Sequence, residues 1–171
     1  MMLSMLVLLV PILAIVWFFQ STPDEQVEAV DYQPVLEKAS QASSYPILAP
    51  ENYPEQWIPV RVAWAEEGQR WIDGEIALGD YWQLGFLTED EVYLGLQQRD
   101  AGVNAFVRAV SRDGVRSGEV QVGERTWEHW ISQDERTHSL IWRDGDMVAT
   151  VTGDTDVERL AVFAGTLVEQ N

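Results

Sequence analysis

The feature that most constrains this chain is an uncharged apolar run over residues 3–19. Its length is at the lower limit for a helix that crosses a bilayer core, and Trp17, Phe18 and Phe19 stand where an interfacial aromatic belt would lie. A cleaved signal peptide is the alternative, but the residues at the C-terminal end of the run are bulky, and no small-residue cleavage motif follows them. The run therefore predicts one uncleaved N-terminal transmembrane helix over residues 1–20.

The charges that follow the run predict its orientation. The first charged side chains are all acidic, at positions 24, 25, 28 and 31, and the first cation is Lys38. Positive charge is retained on the cytoplasmic side of a membrane, and nothing in this flank is positive. We therefore expect a single-pass protein of the cell membrane, with a cytoplasmic N-terminus and an extracytoplasmic C-terminal domain.

Composition excludes several classes of function. The formal net charge is −17 and the isoelectric point is about 4.2, so the surface repels phosphate backbones and no nucleic-acid partner is expected. The chain has no Cys, which excludes disulfides, thiolate metal sites and a cysteine nucleophile. It has eight Trp, a residue that suits both cores and interfaces.

Beyond the anchor, the sequence predicts an acidic linker over residues 21–33 and an extracytoplasmic domain over residues 34–171. Alternating apolar residues predict strands near 60–65, 81–87 and 92–97, and helical spacing predicts a helix from Val103 to Val110. Four more strand-like runs follow, at 119–122, 125–132, 136–143 and 146–152. A short helix at 34–42 precedes these elements, and residues 67–80 show no clear period. The pattern predicts an α+β fold, an antiparallel sheet of about five to seven strands with helices packed on one face.

The end of the chain predicts a final helix. Thr155 followed by Glu158 reads as a capping box, with Thr155 as the N-cap residue. The apolar stripe expected to face the sheet is made of Val157, Leu160, Ala161, Ala164, Leu167 and Val168.

Two turns predict how the last strands pair. Asp144-Gly145 is a strong signal for a type I′ hairpin, and Asp134-Glu135 is a weaker one. The first turn would place Ile141 opposite Val148, and the second would place residue 131 opposite residue 138. These pairings divide the side chains between an apolar face, suited to the final helix, and a mostly polar face. The polar face gathers an aromatic and two aliphatic residues inside a polar rim, which is typical of an interface anchor. The residues of this candidate partner surface are Trp130, Ile141 and Val148, unless another helix or the 67–80 loop covers them.

Several short motifs resemble an actinobacterial membrane-anchored family known as domain of unknown function 4245. These are the membrane segment at residues 4–11, the Pro-rich turn at 50–57, the hairpin at 82–97, and Gly123, Trp127, Gly145 and Gly153 in the C-terminal half. Gln56 stands where the family has Gly, and the basic residues that usually precede the helix are lacking. The resemblance implies a membrane-anchored protein, and it implies no activity, cofactor or catalytic residue.

No catalytic motif is present, so we assign no catalytic, cofactor-binding or metal-ligating residue. The Asp134-Glu135 turn would make His129 and His138 diagonal neighbours, which could bind a metal with a nearby carboxylate or simply lie at the margin of the sheet. Ser132 or Ser139, together with His138 and an Asp, could imitate the catalytic triad of a hydrolase, but neither serine lies in a recognisable nucleophile-elbow motif. The remaining candidates are carboxylate pairs for calcium, which also suit a turn and a helix start: Asp144 with Asp146, and Asp154 with Asp156.

Three functional hypotheses remain open on this evidence. The first is a non-enzymatic module of the cell envelope, which binds a protein partner or serves as an accessory to a membrane complex. The second is a carrier of a small ligand or lipid in a Trp-lined cavity. The third is a metal-dependent or serine hydrolase. We favour the first, because one anchor and one aromatic-rich domain accompany no catalytic set.

Overall fold

The computed structural model describes residues 28–170. The predicted transmembrane helix over residues 1–20, and most of the predicted linker, lie outside the described residues. Within residues 28–170, no helix is long and apolar enough to cross a membrane. The described helices are α1 (Gln33–Ala42), α2 (Val103–Val110) and α3 (Val157–Gly165).

The described strands form two antiparallel sheets. The strands are β1 (Ile47–Pro50), β2 (Ile58–Ala65), β3 (Tyr81–Leu87), β4 (Tyr93–Arg99), β5 (Val115–Val122), β6 (Arg125–Ile131), β7 (His138–Asp144), β8 (Met147–Gly153) and β9 (Leu167–Gln170). The larger sheet has seven strands in the order β2-β3-β4-β8-β7-β6-β5, and the smaller sheet pairs β1 with β9. The predicted α+β class and antiparallel sheet are therefore confirmed.

One face of the large sheet carries the main core. Helices α1 and α3 and strand β1 pack on this face, and Tyr32, which the sequence placed in the linker, is buried there against Phe86. Aromatic rings join the layers, since Phe86 lies edge-to-face with Phe163 of α3 at 5.6 Å between centroids. The largest fully buried side chains of this core are Ile47, Leu48, Trp82, Leu84, Phe86, Leu94, Leu96, Trp127, Leu140, Leu160 and Phe163.

The opposite face is also covered, which corrects the prediction that the helices pack on one face only. Phe106 and Val107 of α2 bury Ile141 and Val148 in a separate small core. A second small core lies under the 66–80 loop, where Trp71 and Tyr81 contact each other edge-to-face. The prediction placed all helices on one face, because the apolar stripe of α2 does not indicate which face of the sheet this helix packs against.

The final helix is shorter than predicted and begins one residue later. Asp156, not Thr155, is the N-cap residue, because its carboxylate accepts the Arg159 backbone N–H at 2.8 Å. The helix ends at Gly165, and Leu167 and Val168 belong to β9, where they pair with Pro50 and Ala49 of β1. A local apolar stripe could not reveal this strand, because its partner lies more than a hundred residues earlier in the chain.

Two buried polar side chains join the small sheet to the large one. Gln98 of β4 accepts the Leu48 backbone N–H at 2.6 Å and donates to the Pro46 carbonyl at 3.0 Å. The Trp82 indole N–H donates to the Leu48 carbonyl at 3.0 Å. These bonds satisfy backbone groups of β1 that would otherwise be buried without a partner.

The β7–β8 hairpin turns one residue later than predicted. Asp144 pairs with Met147, so the central pair is Gly145-Asp146, and of these two residues Gly145 alone has a positive φ, of 58°. A type I′ turn needs a positive φ at both central residues, whereas type II′ needs it at the first alone. The shift moves each cross-strand partner by two residues, and therefore every side chain keeps the face that was predicted.

Candidate binding surface

The three residues predicted to form a partner surface lie together, but two of them are not accessible. Ile141 and Val148 are fully buried beneath Phe106 and Val107 of α2. Trp130 lies at the edge of this small core and is half-buried. An exposed cluster is therefore not formed, because α2 covers the aliphatic pair. A binding role for Trp130 stays a prediction.

The predicted relation between the two histidines is present. Ile131 pairs with His138, as the sequence predicted, and His129 Nε2 lies 3.1 Å from His138 Nδ1. Burial lowers the pKa of His129, and the neighbouring His138 lowers it further, against the smaller opposing effect of Glu158. In this contact one ring nitrogen donates and the other accepts, and the tautomers decide which. Within residues 28–170 no group of three potential ligands could hold a metal ion.

The two serines that might imitate a hydrolase are engaged or enclosed. The Ser132 hydroxyl donates to Asp134 at 2.6 Å and accepts the Thr137 backbone N–H at 3.0 Å, so it organises the turn before β7. Ser139 is fully buried. Neither hydroxyl is hydrogen-bonded to His138 in the described part of the chain.

The acidic pairs considered for calcium also have local roles. Asp156 caps α3, and Asp154 accepts a hydrogen bond from Thr137 and pairs with Arg112 at 3.5 Å. Asp144 and Asp146 flank Gly145 at the β7–β8 turn. The structure thus places these carboxylates in capping, pairing and turn positions.

The 66–80 loop carries three large aliphatic side chains that are exposed, and they are called the exposed aliphatic cluster below. Ile72 and Ile76 are each 52 % exposed and Leu78 is 68 % exposed. The loop is held in place by its own backbone bonds, including Trp71 N–H to the Glu75 carbonyl at 2.8 Å. Because Trp71 and Ala77 point into the small core beneath, their neighbours in sequence point outward. The loop is thus held by its own hydrogen bonds and exposes three aliphatic side chains to solvent.

A groove of about 550 Å³ lies between this loop and α2. Leu78 and Asp73 of the loop line one side, and Phe106 and Ala109 of α2 line the other. Arg99, the last residue of β4, lies in the groove. The groove therefore joins apolar walls to one cationic group.

The Arg99 guanidinium is held by aromatic rings. Its Cζ lies 4.0 Å from the Tyr81 ring centroid, 4.5 Å from that of Phe106 and 5.7 Å from that of Trp71. Such contacts attract a cation to the negative face of each ring. Burial lowers the pKa of Arg99, although an arginine stays protonated at any ordinary pH. Within residues 28–170, no carboxylate forms an ion pair with this side chain.

The loop lies at the far end of the sheet from the N-terminal segment. The Val30 backbone N–H donates to the Pro59 carbonyl at 2.7 Å, at the start of β2, and the loop follows the end of the same strand. Eight strand residues span about 26 Å at roughly 3.3 Å each. The exposed aliphatic cluster is thus well separated from the point where the chain enters the domain.

Sequence reasoning missed this surface for a physical reason. The loop has neither helical nor strand period, so nothing local indicates which of its apolar residues face inward. A weak signal was present: three aliphatic residues within a short Gly- and acid-rich segment, with Trp71 among them.

The fold and surface define a small antiparallel α+β domain that displays a rigid apolar loop beside an arginine-containing groove. The chain belongs to the family described as protein of unknown function, DUF4245, whose model matches residues 1–167. Comparison with curated proteins gave no match, and comparison with solved structures gave none either.

Proposed function

We propose that this chain is a non-enzymatic, membrane-anchored module that binds a protein partner in the cell envelope through the 66–80 loop. The observation that carries the proposal is the exposed cluster of Ile72, Ile76 and Leu78. Large aliphatic side chains gathered on one rigid loop mark interaction sites more often than scattered ones do. The membrane anchor of the proposal is supported by the uncharged run over residues 3–19.

The charge of the loop favours one kind of partner. Glu67, Asp73 and Glu75 are exposed around the aliphatic cluster, and Arg70 is the exposed cation among them. An apolar protein surface rimmed by lysine or arginine would complement this pattern. A second copy of the chain would place like charges opposite each other, and an anionic lipid surface would repel the same carboxylates. We therefore commit to a basic, apolar protein segment as the occupant.

The position of the loop supports the same assignment. An anchor that enters the domain near Pro59 would leave the loop at the opposite end of β2, about one strand length away. A surface in that position reaches outward to another envelope protein more readily than back to the lipid.

Site-specific photocrosslinking in intact membranes tests the proposal. A photoreactive residue in place of Leu78 should capture one protein, whereas the same residue in place of Val162 should not. Val162 is a matched control, because it is 59 % exposed and lies on α3, on the other face of the sheet. Capture at position 78 should fall when Ile76→Asp is added and should weaken at raised salt, since part of the attraction is electrostatic.

Each alternative has its own outcome. Capture of another copy of the chain at position 78 would assign the loop to self-association, and capture of lipid would assign it to the membrane. Equal capture at positions 78 and 162 would show that the loop has no special role and would remove the proposal.

A further inference from the structure

The groove beside the loop contains a feature that binding through aliphatic residues does not explain. Arg99 is half-buried, lies between the two small cores of the sheet's second face, and forms no ion pair within residues 28–170. Taking a cation partly out of water is costly, and Asp73 acts on Arg99 through space without a direct ion pair, so the retention of Arg99 in this groove calls for a reason.

One part of that reason is structural. Tyr81 pairs with Arg99 across β3 and β4, and Phe106 reaches the guanidinium from α2. Stacking stabilises the cation, but it uses only the faces of the guanidinium. The five N–H donors of a guanidinium lie in its plane, so ring contacts on its faces leave them available to oxygens at its edge, of which the Tyr81 hydroxyl is one.

We infer that Arg99 recognises a side-chain carboxylate of the protein segment that occupies this groove. The inference rests on the proposed function and adds the chemistry of its partner. A guanidinium held by Tyr81 and Phe106 is pre-organised, so little side-chain entropy remains to be lost when its paired N–H groups bind the two oxygens of a carboxylate.

The surroundings of Arg99 define the rest of the segment. Leu78 and Phe106 contribute apolar walls, so the residues that flank the carboxylate should be aliphatic. Asp73 lines the same groove and Glu75 is exposed on the loop above, so further acidic residues would be repelled and basic ones attracted. The segment inferred is therefore aliphatic and basic, with a single acidic side chain.

Three short peptides test the inference on the full-length chain in detergent. The first alternates leucine and lysine around one central glutamate, with an acetylated N-terminus and an amidated C-terminus. The second has glutamine at the centre, and the third is the glutamine peptide with a free C-terminal carboxylate. Calorimetry should show the glutamate peptide binding about tenfold more tightly than its glutamine twin, since a bidentate charge-assisted bond is strong and partly desolvated.

Substitutions assign that difference to one side chain. Arg99→Met keeps a flexible apolar stem among the rings, and it should reduce the ratio of the two affinities to about one. Arg99→Lys keeps the charge without the planar fork and should retain only part of the ratio. Arg108→Met is the control, because Arg108 is exposed on α2 and, unlike Arg99, does not stack on Trp71, Tyr81 or Phe106.

A second measurement does not depend on variants that might fold poorly. In the wild-type chain with nitrogen-15-labelled arginine, the Arg99 Nε resonance should move when the glutamate peptide is added and stay in place with the glutamine peptide. Equal affinities of the first two peptides, or a preference for the free C-terminus, would overturn the inference. Failure of all three peptides to bind would overturn it as well, whereas the proposed function is judged separately by crosslinking at position 78.

Discussion

His129 Nε2 and His138 Nδ1 lie 3.1 Å apart on neighbouring strands, and the two rings share one hydrogen bond. Such a bond needs one nitrogen to donate and the other to accept, so it holds while both rings are neutral and is lost when both are protonated. Burial and the neighbouring His138 lower the pKa of His129, and Glu158 in the first turn of α3 partly opposes them.

The pair gives a prediction for the dependence of stability on pH. The pKa of His129 is lowered in the folded state, so the unfolded chain binds more protons as the pH falls below the ordinary value of 6.5. His129 therefore contributes stability at neutral pH that is lost on acidification through 6.5 and below. Denaturant unfolding of wild type and His129→Gln should show a difference in unfolding free energy that shrinks from pH 7.5 to pH 5. A difference that does not vary with pH would contradict the assignment. The comparison with the variant is needed because the many carboxylates of a chain with net charge −17 also take up protons on acidification.

Gln98 should be essential to the attachment of the small sheet. Gln98→Leu leaves the buried Leu48 N–H without its partner, at a cost of about 1–3 kcal/mol, and also removes the bond to the carbonyl of the exposed Pro46. Gln97→Leu is the control, since Gln97 precedes Gln98 on β4 but points to the other face of the sheet and is half-exposed. Urea unfolding monitored by tryptophan fluorescence would measure both. Similar losses of unfolding free energy in the two variants would argue against this role of Gln98.

Substitution of Gly145 should destabilise the domain because of the backbone conformation at this position alone. Its φ is 58° and nothing lies within 4 Å of an added Cβ, so any loss in Gly145→Val reports strain rather than a clash. We expect destabilisation of about 1–3 kcal/mol. Gly118→Val is the matched control: it also has open space around it but lacks a positive φ. Equal stability of these two variants in thermal unfolding would contradict the turn assignment.

Trp130 and Ile141 should behave differently although they share one small core. Ile141 is fully buried, and Ile141→Ala should cost about 2–5 kcal/mol through lost burial and the cavity left behind. Trp130 is half-buried with its indole N–H bonded to Glu128, so Trp130→Ala should leave the domain folded with a smaller loss. Chemical unfolding of both variants checks this order. If Trp130→Ala unfolds the domain, the predicted binding role of Trp130 should be abandoned.

The membrane topology can be tested with a single thiol, because the chain has no Cys. A cysteine in place of Ser21 should react with a membrane-impermeant reagent in intact cells, since the acidic flank favours the outer side. Gln121→Cys, at an exposed position in β5, should label equally if the domain is extracytoplasmic. Labelling of both positions only after lysis would reverse the orientation.

Local patterns predicted most of the secondary structure because their causes are local. The run of Val103, Phe106, Val107 and Val110 predicts a helix, and that helix spans Val103–Val110. The pairing of Ile131 with His138 also followed from the sequence, since a turn near Asp134 sets the register. Shifts of one residue arose at Asp156 and Gly145, where two adjacent residues offer similar capping or turn chemistry.

The sequence by itself determined the α+β class, the hairpins of the large sheet and the two faces of its C-terminal strands, because side-chain alternation and turn residues act over a few positions. Tertiary structure alone decided that α2 covers Ile141 and Val148, that β9 pairs with β1, and that Ile72, Ile76 and Leu78 point outward. These features depend on contacts between distant segments, and the free energy of burying one apolar surface against another depends on its area and shape rather than on the order of residues along the chain.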